Sequence, residues 1–164
     1  DSLHFADSIL ASRVIYKDSP SMDHIYDFGS GNGFPGLVFG ILYPKIKVTL
    51  IDSDTRKVEF LKHMISLLHL SNVEAKCLTV ETLPADSVKF CVSRGFANIS
   101  KSILLARRCF AKGGTYYYLK SEQWGLEVGE IPIQLCSIWN PALVSEYKVQ
   151  NVPVKFAVVK TVKL

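Results

Sequence analysis

Nothing in the chain narrows its possible folds more than the run Asp27-Phe28-Gly29-Ser30-Gly31-Asn32-Gly33, closed three residues later by Gly36. Glycines at this density let a backbone take left-handed turns and come close to a bound molecule. The residues ahead of them, Ile25 to Phe28, read as a short buried strand, and Phe34 to Leu42 reads as an apolar helix ended before Pro44. Strand, glycine turn and helix, in that order, is how a doubly wound α/β domain receives a nucleotide-like ligand.

The alternation continues. Lys47 to Asp52 reads as a second strand, and Thr55 to Leu70 as the clearest helix, with Val58, Leu61, Ile65 and Leu68 at helical spacing. Val73 to Cys77 and Phe90 to Ser93 follow as strands, and Ile99 to Phe110 as a helix stopped by Lys112-Gly113-Gly114. Thr115 to Leu119 is an aromatic strand. Ile133 to Trp139 and Val154 to Val162 read as closing strands, with a loop over Asn140 to Pro153 joining them in an antiparallel hairpin at the sheet edge. At the start, Asp1 to Ile15 reads as a helix with Leu3, Ala6, Leu10 and Val14 on one face, broken by Ser19-Pro20-Ser21. Strands separated by helices imply parallel pairing, because parallel neighbours need a crossover.

A chain of 164 residues, 48% apolar and 21% charged, buries a core without staples and suits one domain over 1–164, with 1–18 as an N-terminal helix. Cys77, Cys91, Cys109 and Cys136 lack the spacing of a zinc site and read as buried thiols. No metal is expected. No apolar run reaches the length of a membrane span and no secretion signal is visible, so a cytoplasmic location is expected. A net charge of +4 is mild, yet compatible with a protein that touches RNA on one face.

Two carboxylates bear on what the glycine turn holds. As G-x-G-x-x-G, residues Gly31, Gly33 and Gly36 also satisfy a dinucleotide fingerprint. Asp27, however, lies two residues before the first glycine, where a carboxylate can bind a cationic methionyl end directly or through water and repels a pyrophosphate. Asp52, at the end of the second strand, can accept hydrogen bonds from two ribose hydroxyls, a feature that NAD and S-adenosylmethionine share. Together they favour S-adenosylmethionine over a dinucleotide and over a turn that holds nothing. The expected fold class is therefore α/β: a Rossmann-like S-adenosylmethionine-dependent methyltransferase fold, with a mostly parallel seven-stranded sheet and an antiparallel C-terminal strand.

The string Asp27 to Gly36 with its Gly33-Phe34-Pro35-Gly36 extension, then Leu50-Ile51-Asp52-Ser53, Arg56-Lys57, Phe60-Leu61 and Ser93-Arg94, resembles the GidB family, also called RsmG. His4-Phe5-Ala6-Asp7-Ser8 looks like that family's His-x-x-Asp-Ser helix. Its members methylate N7 of a guanine in bacterial small-subunit (16S) ribosomal RNA. By position, the resemblance implies cofactor contacts at Gly29, Phe34, Val80, Glu81 and Arg94, which join Asp27, Gly31 and Asp52 from the residue reading. It implies RNA contacts at Arg56, Lys57, Arg94 and Lys120, with small-subunit ribosomal RNA or the 30S subunit as partner of a monomer. Residues 1–18 would then be the remnant of a longer N-terminal helical segment. The chain departs from the family pattern at Thr79, where an arginine is common, at Gly95 and Ser121, and in the order of Arg56-Lys57.

Methyl transfer from a sulfonium is an in-line displacement governed by positioning. Guanine N7 offers a lone pair and no proton, so no catalytic base is expected, and Ser93-Arg94-Gly95-Phe96 supplies neither the Asn/Asp-Pro-Pro-aromatic motif of amine methylation nor a nucleophilic cysteine. Lys101, Arg107 and Arg108 are further candidates for a phosphate-facing surface, and Phe34 or Phe96 for stacking. Two alternatives are a small-molecule methyltransferase, which should add a lid that the segment Gly95 to Lys120 lacks, and a non-catalytic RNA-binding module, which would not need Asp27 and Asp52 together.

Overall fold

The computed structural model describes residues 2–164. Asp1, the first residue of the expected opening helix, lies outside them. The elements run α1 Ser2–Asp18, β1 His24–Phe28, α2 Gly36–Leu42, β2 Lys47–Asp52, α3 Thr55–Leu67, β3 Val73–Cys77, a 3-10 turn Val80–Thr82, β4 Val88–Arg94, α4 Ile99–Ala106 and β5 Phe110–Lys120. Two short helices, α5 Trp124–Gly129 and α6 Ile133–Cys136, precede β6 Trp139–Lys148 and β7 Lys155–Lys163.

The strands form one sheet in the order β3-β2-β1-β4-β5-β7-β6. Pairing is parallel from β3 through β5, while β7 runs against both β5 and β6, so β7 alone is reversed. This is the expected mostly parallel seven-stranded architecture. Alternate residues of each central strand enter opposite layers, the mark of a sheet covered on both faces. Leu50, Val92 and Tyr117 meet α1, α2 and α3 through Ala11, Ile15, Phe39 and Leu61. Ile51, Cys91, Tyr116 and Tyr118 pack against α4 through Ile99, Ile103 and Ala106. Of the four cysteines expected to be buried, Cys91 and Cys109 are, Cys136 is half-buried, and Cys77, at the end of edge strand β3, is instead exposed.

Three expectations are corrected. The segment Ile133 to Trp139, read as a strand, is mostly helix α6, and most of the loop expected over Asn140 to Pro153 is strand β6. Pro141 made that stretch look broken, but β6 is an edge strand, where a missing N–H costs no ladder bond on the open side. The helix expected to reach Phe110 ends at Ala106, and Phe110 opens β5. The pairing skips from Val88–Phe110 to Phe90–Thr115, and Gly113, at φ +80°, turns within the intervening irregularity. In α1 the buried face is Asp7, Ser8, Ala11, Ser12 and Ile15, while Leu3, Ala6, Leu10 and Val14 are only half-buried. Small side chains let this helix approach closely, and its aspartate finds partners inside.

Candidate functional site

The site forms where β1, β2, β3 and β4 end, at the point where the sheet order runs outward from β1 in both directions. The glycine turn is held from two sides. Gly29 N and Ser30 N donate to Ile51 O at 2.9 and 3.1 Å, and Gly31 N donates to Asp52 Oδ2 at 2.9 Å. Gly29 and Gly31 have φ of +70° and +54°, in the left-handed region that favours glycine. A Cβ on Gly29 would lie 2.6 Å from the Phe96 ring, so the turn and the segment after β4 already touch.

Asp52 connects further. Its Oδ1 accepts from Asp54 N at 2.9 Å, and Asp54 in turn caps α3 by accepting from Arg56 N and Lys57 N at 2.9 and 3.3 Å. Each Asp52 oxygen is thus oriented by one backbone amide and keeps further acceptor capacity. Asp52, Ser53, Lys57 and Gly29 line a cleft of about 320 Å³, faced by Leu78 to Glu81 and by Gly95 and Phe96. Val80 is buried in the 3-10 turn while Glu81 is exposed. That turn is tied by Arg108, whose Nη1 donates to Glu81 O at 3.2 Å. Residue spacing had suggested a helical surface for Arg107 and Arg108; both fall after α4, which frees Arg108 for this contact.

Asp27 is 1% exposed and sits beneath the turn rather than in the cleft lining. Its Oδ2 accepts from Gly36 N, the first amide of α2, at 2.9 Å. A Cβ at Gly36 would stand 2.6 Å from that oxygen, so only glycine permits the approach. Burial pushes the Asp27 carboxyl well above the usual carboxylate range, with the Gly36 amide opposing and the Asp52 charge adding to the rise. Asp27 Oδ1 is buried with no hydrogen-bond partner among the described residues. A fully buried carboxylate with one unpartnered oxygen, next to a turn in which Gly29 and Gly31 carry no side chain and to a second acid suited to a ribose, fits the expected cofactor.

The remaining sequence-chosen residues are not gathered into that cleft. Phe34 stacks on His4 at 5.8 Å and meets Phe5 edge-on at 4.9 Å, lining a separate apolar pocket of about 390 Å³ with Leu37, Ile41 and Phe60. Arg94, at the end of β4, lies 3.1 Å from Asp7 of α1. Lys120, at the end of β5, pairs with Glu127 at 2.9 Å and donates to Ala97 O at 3.2 Å. Arg56 and Lys57 are exposed at the start of α3, and Lys57 alone of the expected RNA contacts lines the cleft. A larger groove of about 640 Å³ runs between α1 and the turn before β7; its lining among the described residues, drawn from Ser2 to Leu10 on α1 and Val149 to Val152, carries no charged side chain.

The model of the GidB family, described as rRNA small subunit methyltransferase G, matches residues 2–145. The ribosomal RNA small subunit methyltransferase G 3 of Bdellovibrio bacteriovorus is 56% identical over 164 residues, all of this chain and 74% of its own length. The ribosomal RNA small subunit methyltransferase G of Laribacter hongkongensis is 32% identical over 136 residues, 82% of this chain and 63% of that protein. The chain therefore spans 63% to 74% of the length of these relatives. Among solved structures, a SAM dependent methyltransferase from Aquifex aeolicus superimposes with a TM-score of 0.70 at 17% identity, covering 94% of this chain and 89% of that one. An rRNA methylase from Streptococcus thermophilus gives 0.59 at 16% identity, covering 94% and 95%. These two share the fold.

Proposed function

Because the chain belongs to the GidB family of rRNA small subunit methyltransferase G proteins, we propose that it transfers a methyl group from S-adenosylmethionine to N7 of a guanine in small-subunit ribosomal RNA. The observation that carries the reading is the bond from Gly31 N to Asp52 Oδ2. It fixes an acid with spare acceptor capacity at the mouth of a glycine-rich turn, the chemistry a ribose-bearing cofactor needs. When bound, the cofactor supplies an electrophilic methyl on a sulfonium.

The chain's own residues then bind and orient. Gly29 and Gly31 keep one wall free of Cβ atoms. Asp27 offers its unpartnered oxygen to the cationic end from beneath, and Val80 and Glu81 form the opposite wall. Phe34 secures α1 to the turn, and Arg94 ends β4 directly before two residues of the cleft. Guanine N7 presents a lone pair and no proton, so the site needs positioning and no base. Arg56 and Lys57 suit phosphates at the cleft mouth; Lys120 and Arg94 would reach RNA by sharing their present carboxylate partners.

The partner in this reading is small-subunit RNA or the 30S particle, met by a monomer in the cytoplasm. No helix of the described residues is long and apolar enough to cross a membrane. The test supplies S-adenosylmethionine with unmodified small subunits or their RNA, then digests the RNA and identifies nucleosides by mass spectrometry. Appearance of 7-methylguanosine, lost in Asp52→Ala, supports the reading; another methylated nucleoside, or none, overturns the acceptor.

A further inference from the structure

Arg94 stands directly ahead of Gly95 and Phe96 in the cleft lining, so how its side chain is held bears on that wall. Its Nη1 lies 3.1 Å from Asp7 Oδ2. The other oxygen, Asp7 Oδ1, accepts a hydrogen bond from the phenol of Tyr147 on β6, which also reaches Asp7 O at 3.5 Å. The Asp7 side chain is 3% exposed and the Arg94 side chain 21%. One buried carboxylate thus joins α1, the end of β4 and a strand 140 residues away in sequence.

A buried ion pair gains little unless the remaining lone pairs are satisfied, because desolvation offsets the attraction. A carboxylate gripped at one oxygen can also rotate, and a guanidinium touched through one nitrogen turns with it. The Tyr147 hydroxyl occupies the second oxygen and so sets the plane of the carboxylate. The Tyr147 ring is itself steadied by Phe156, 6.0 Å away in a stacked arrangement. Burial, with Asp7 beside it, pushes the phenol far above its ordinary pKa, so it remains a donor.

We propose that Tyr147 is a positioning residue for the cofactor cleft: its hydroxyl orients Asp7, and Asp7 anchors the Arg94 guanidinium against α1, which fixes the end of β4 from which Gly95 and Phe96 enter the cleft wall. The inference rests on the reading of that cleft as the S-adenosylmethionine site. The rival explanation is that the three residues only pin α1 to the sheet.

The two separate by calorimetry with S-adenosylmethionine alone, without RNA, together with melting curves. Tyr147→Phe keeps the ring and removes the hydroxyl; its Kd should rise about tenfold, the cost of re-ordering the loosened Asp7–Arg94 support when the cofactor binds. Asp7→Asn, which keeps volume and an acceptor for the phenol, should rise by at least as much, and it is read in the same way should Tyr147→Phe fail to fold. In an Arg94→Gln background, Tyr147→Phe should add less than about twofold, since its effect travels through Arg94. A Kd within about twofold of the parent, a lowered Tm with affinity kept, or a full loss that persists in the Arg94→Gln background each overturns the proposal. If the parent binds and Tyr147→Phe binds equally, this inference alone falls; if the parent protein does not bind S-adenosylmethionine, the cleft reading falls and takes this one with it.

Discussion

The Gly31 amide and the Asp52 carboxylate meet at 2.9 Å, joining the turn after β1 to the end of β2, and the other Asp52 oxygen holds Asp54 N at the start of α3. Asp52→Ala leaves both amides without that acceptor. Folding stability should fall by about 1–2 kcal/mol, and the Kd for S-adenosylmethionine should rise more than about tenfold. Asp52→Asn, with one acceptor oxygen left, should fall between. Urea titration and calorimetry read the two effects separately, and unchanged binding in Asp52→Ala would remove this acid from the site.

Gly29 and Gly95 make a matched pair of tests. Both have positive φ, at +70° and +64°, but a Cβ at Gly29 meets the Phe96 ring at 2.6 Å whereas nothing lies within 4 Å of one at Gly95. Gly95→Ala should cost only the left-handed backbone term, ~1–2 kcal/mol. Gly29→Ala should cost more and also displace Phe96, weakening cofactor binding. Equal melting temperatures for the two variants would show that the Phe96 contact yields freely.

Asp27 makes stability depend on pH in an unusual sense. In the unfolded chain its carboxyl ionises near the ordinary value, while burial in the folded chain holds the proton to a higher pH. Between those values the folded state binds more protons, so this group's contribution falls as pH rises through the window, and the cost persists above it. Asp27→Asn keeps an acceptor for Gly36 N and removes the charge. It should be at least as stable as the parent above the window and flatter in its pH dependence, yet bind S-adenosylmethionine about tenfold more weakly. Denaturation at several pH values checks the first claim and calorimetry the second.

Asn72 supplies a contrast away from the cleft. Its Nδ2 donates to Gly40 O at 3.0 Å, Tyr43 O at 3.3 Å and Ile46 O at 2.9 Å, gathering the connection from α2 to β2. Asn72→Ala should lower stability by about 1–3 kcal/mol, the cost of leaving buried carbonyls unpaired, with cofactor Kd unchanged. A shift in Kd would mean that the α2–β2 connection is coupled to the glycine turn.

Arg56 is exposed beside the cleft and donates its backbone amide, not its side chain, to Asp54. Arg56→Ala should weaken RNA binding and reduce the log–log salt slope by ~0.7–0.9, as one phosphate contact is lost. Filter binding across a salt series would show it; an unchanged slope would place the phosphate path elsewhere.

How much of this was legible in the residues varies along the chain. The strands Lys47–Asp52 and Val73–Cys77 are observed with the bounds that residue pattern predicts, because each is a compact segment bordered by turn residues. The glycine turn was equally plain, since its glycines and acids lie within a few positions of one another. The stretch after Lys120 was not: α5 and α6 are short and bury none of their residues fully, and β6 is an edge strand that tolerates Pro141. The buried face of α1 was misread for a different reason. The helical spacing favours Leu3, Ala6, Leu10 and Val14, whereas the buried face includes Asp7, whose partners Arg94 and Tyr147 are too distant in sequence for local spacing to report. Arg94 and Lys120, which the resemblance marks as RNA contacts, are both held by carboxylates.

The last strand to be made is not the last in the sheet. β7 lies between β5 and β6, so during synthesis β6 leaves the ribosome before the strand it pairs with, and β5 waits with its outer edge bare. A nascent chain can complete the glycine turn, the Asp52 tie and the cleft while Tyr147 still has no seat. The Tyr147–Asp7–Arg94 link closes only when β7 pairs with β5 and brings β6 into register beside it.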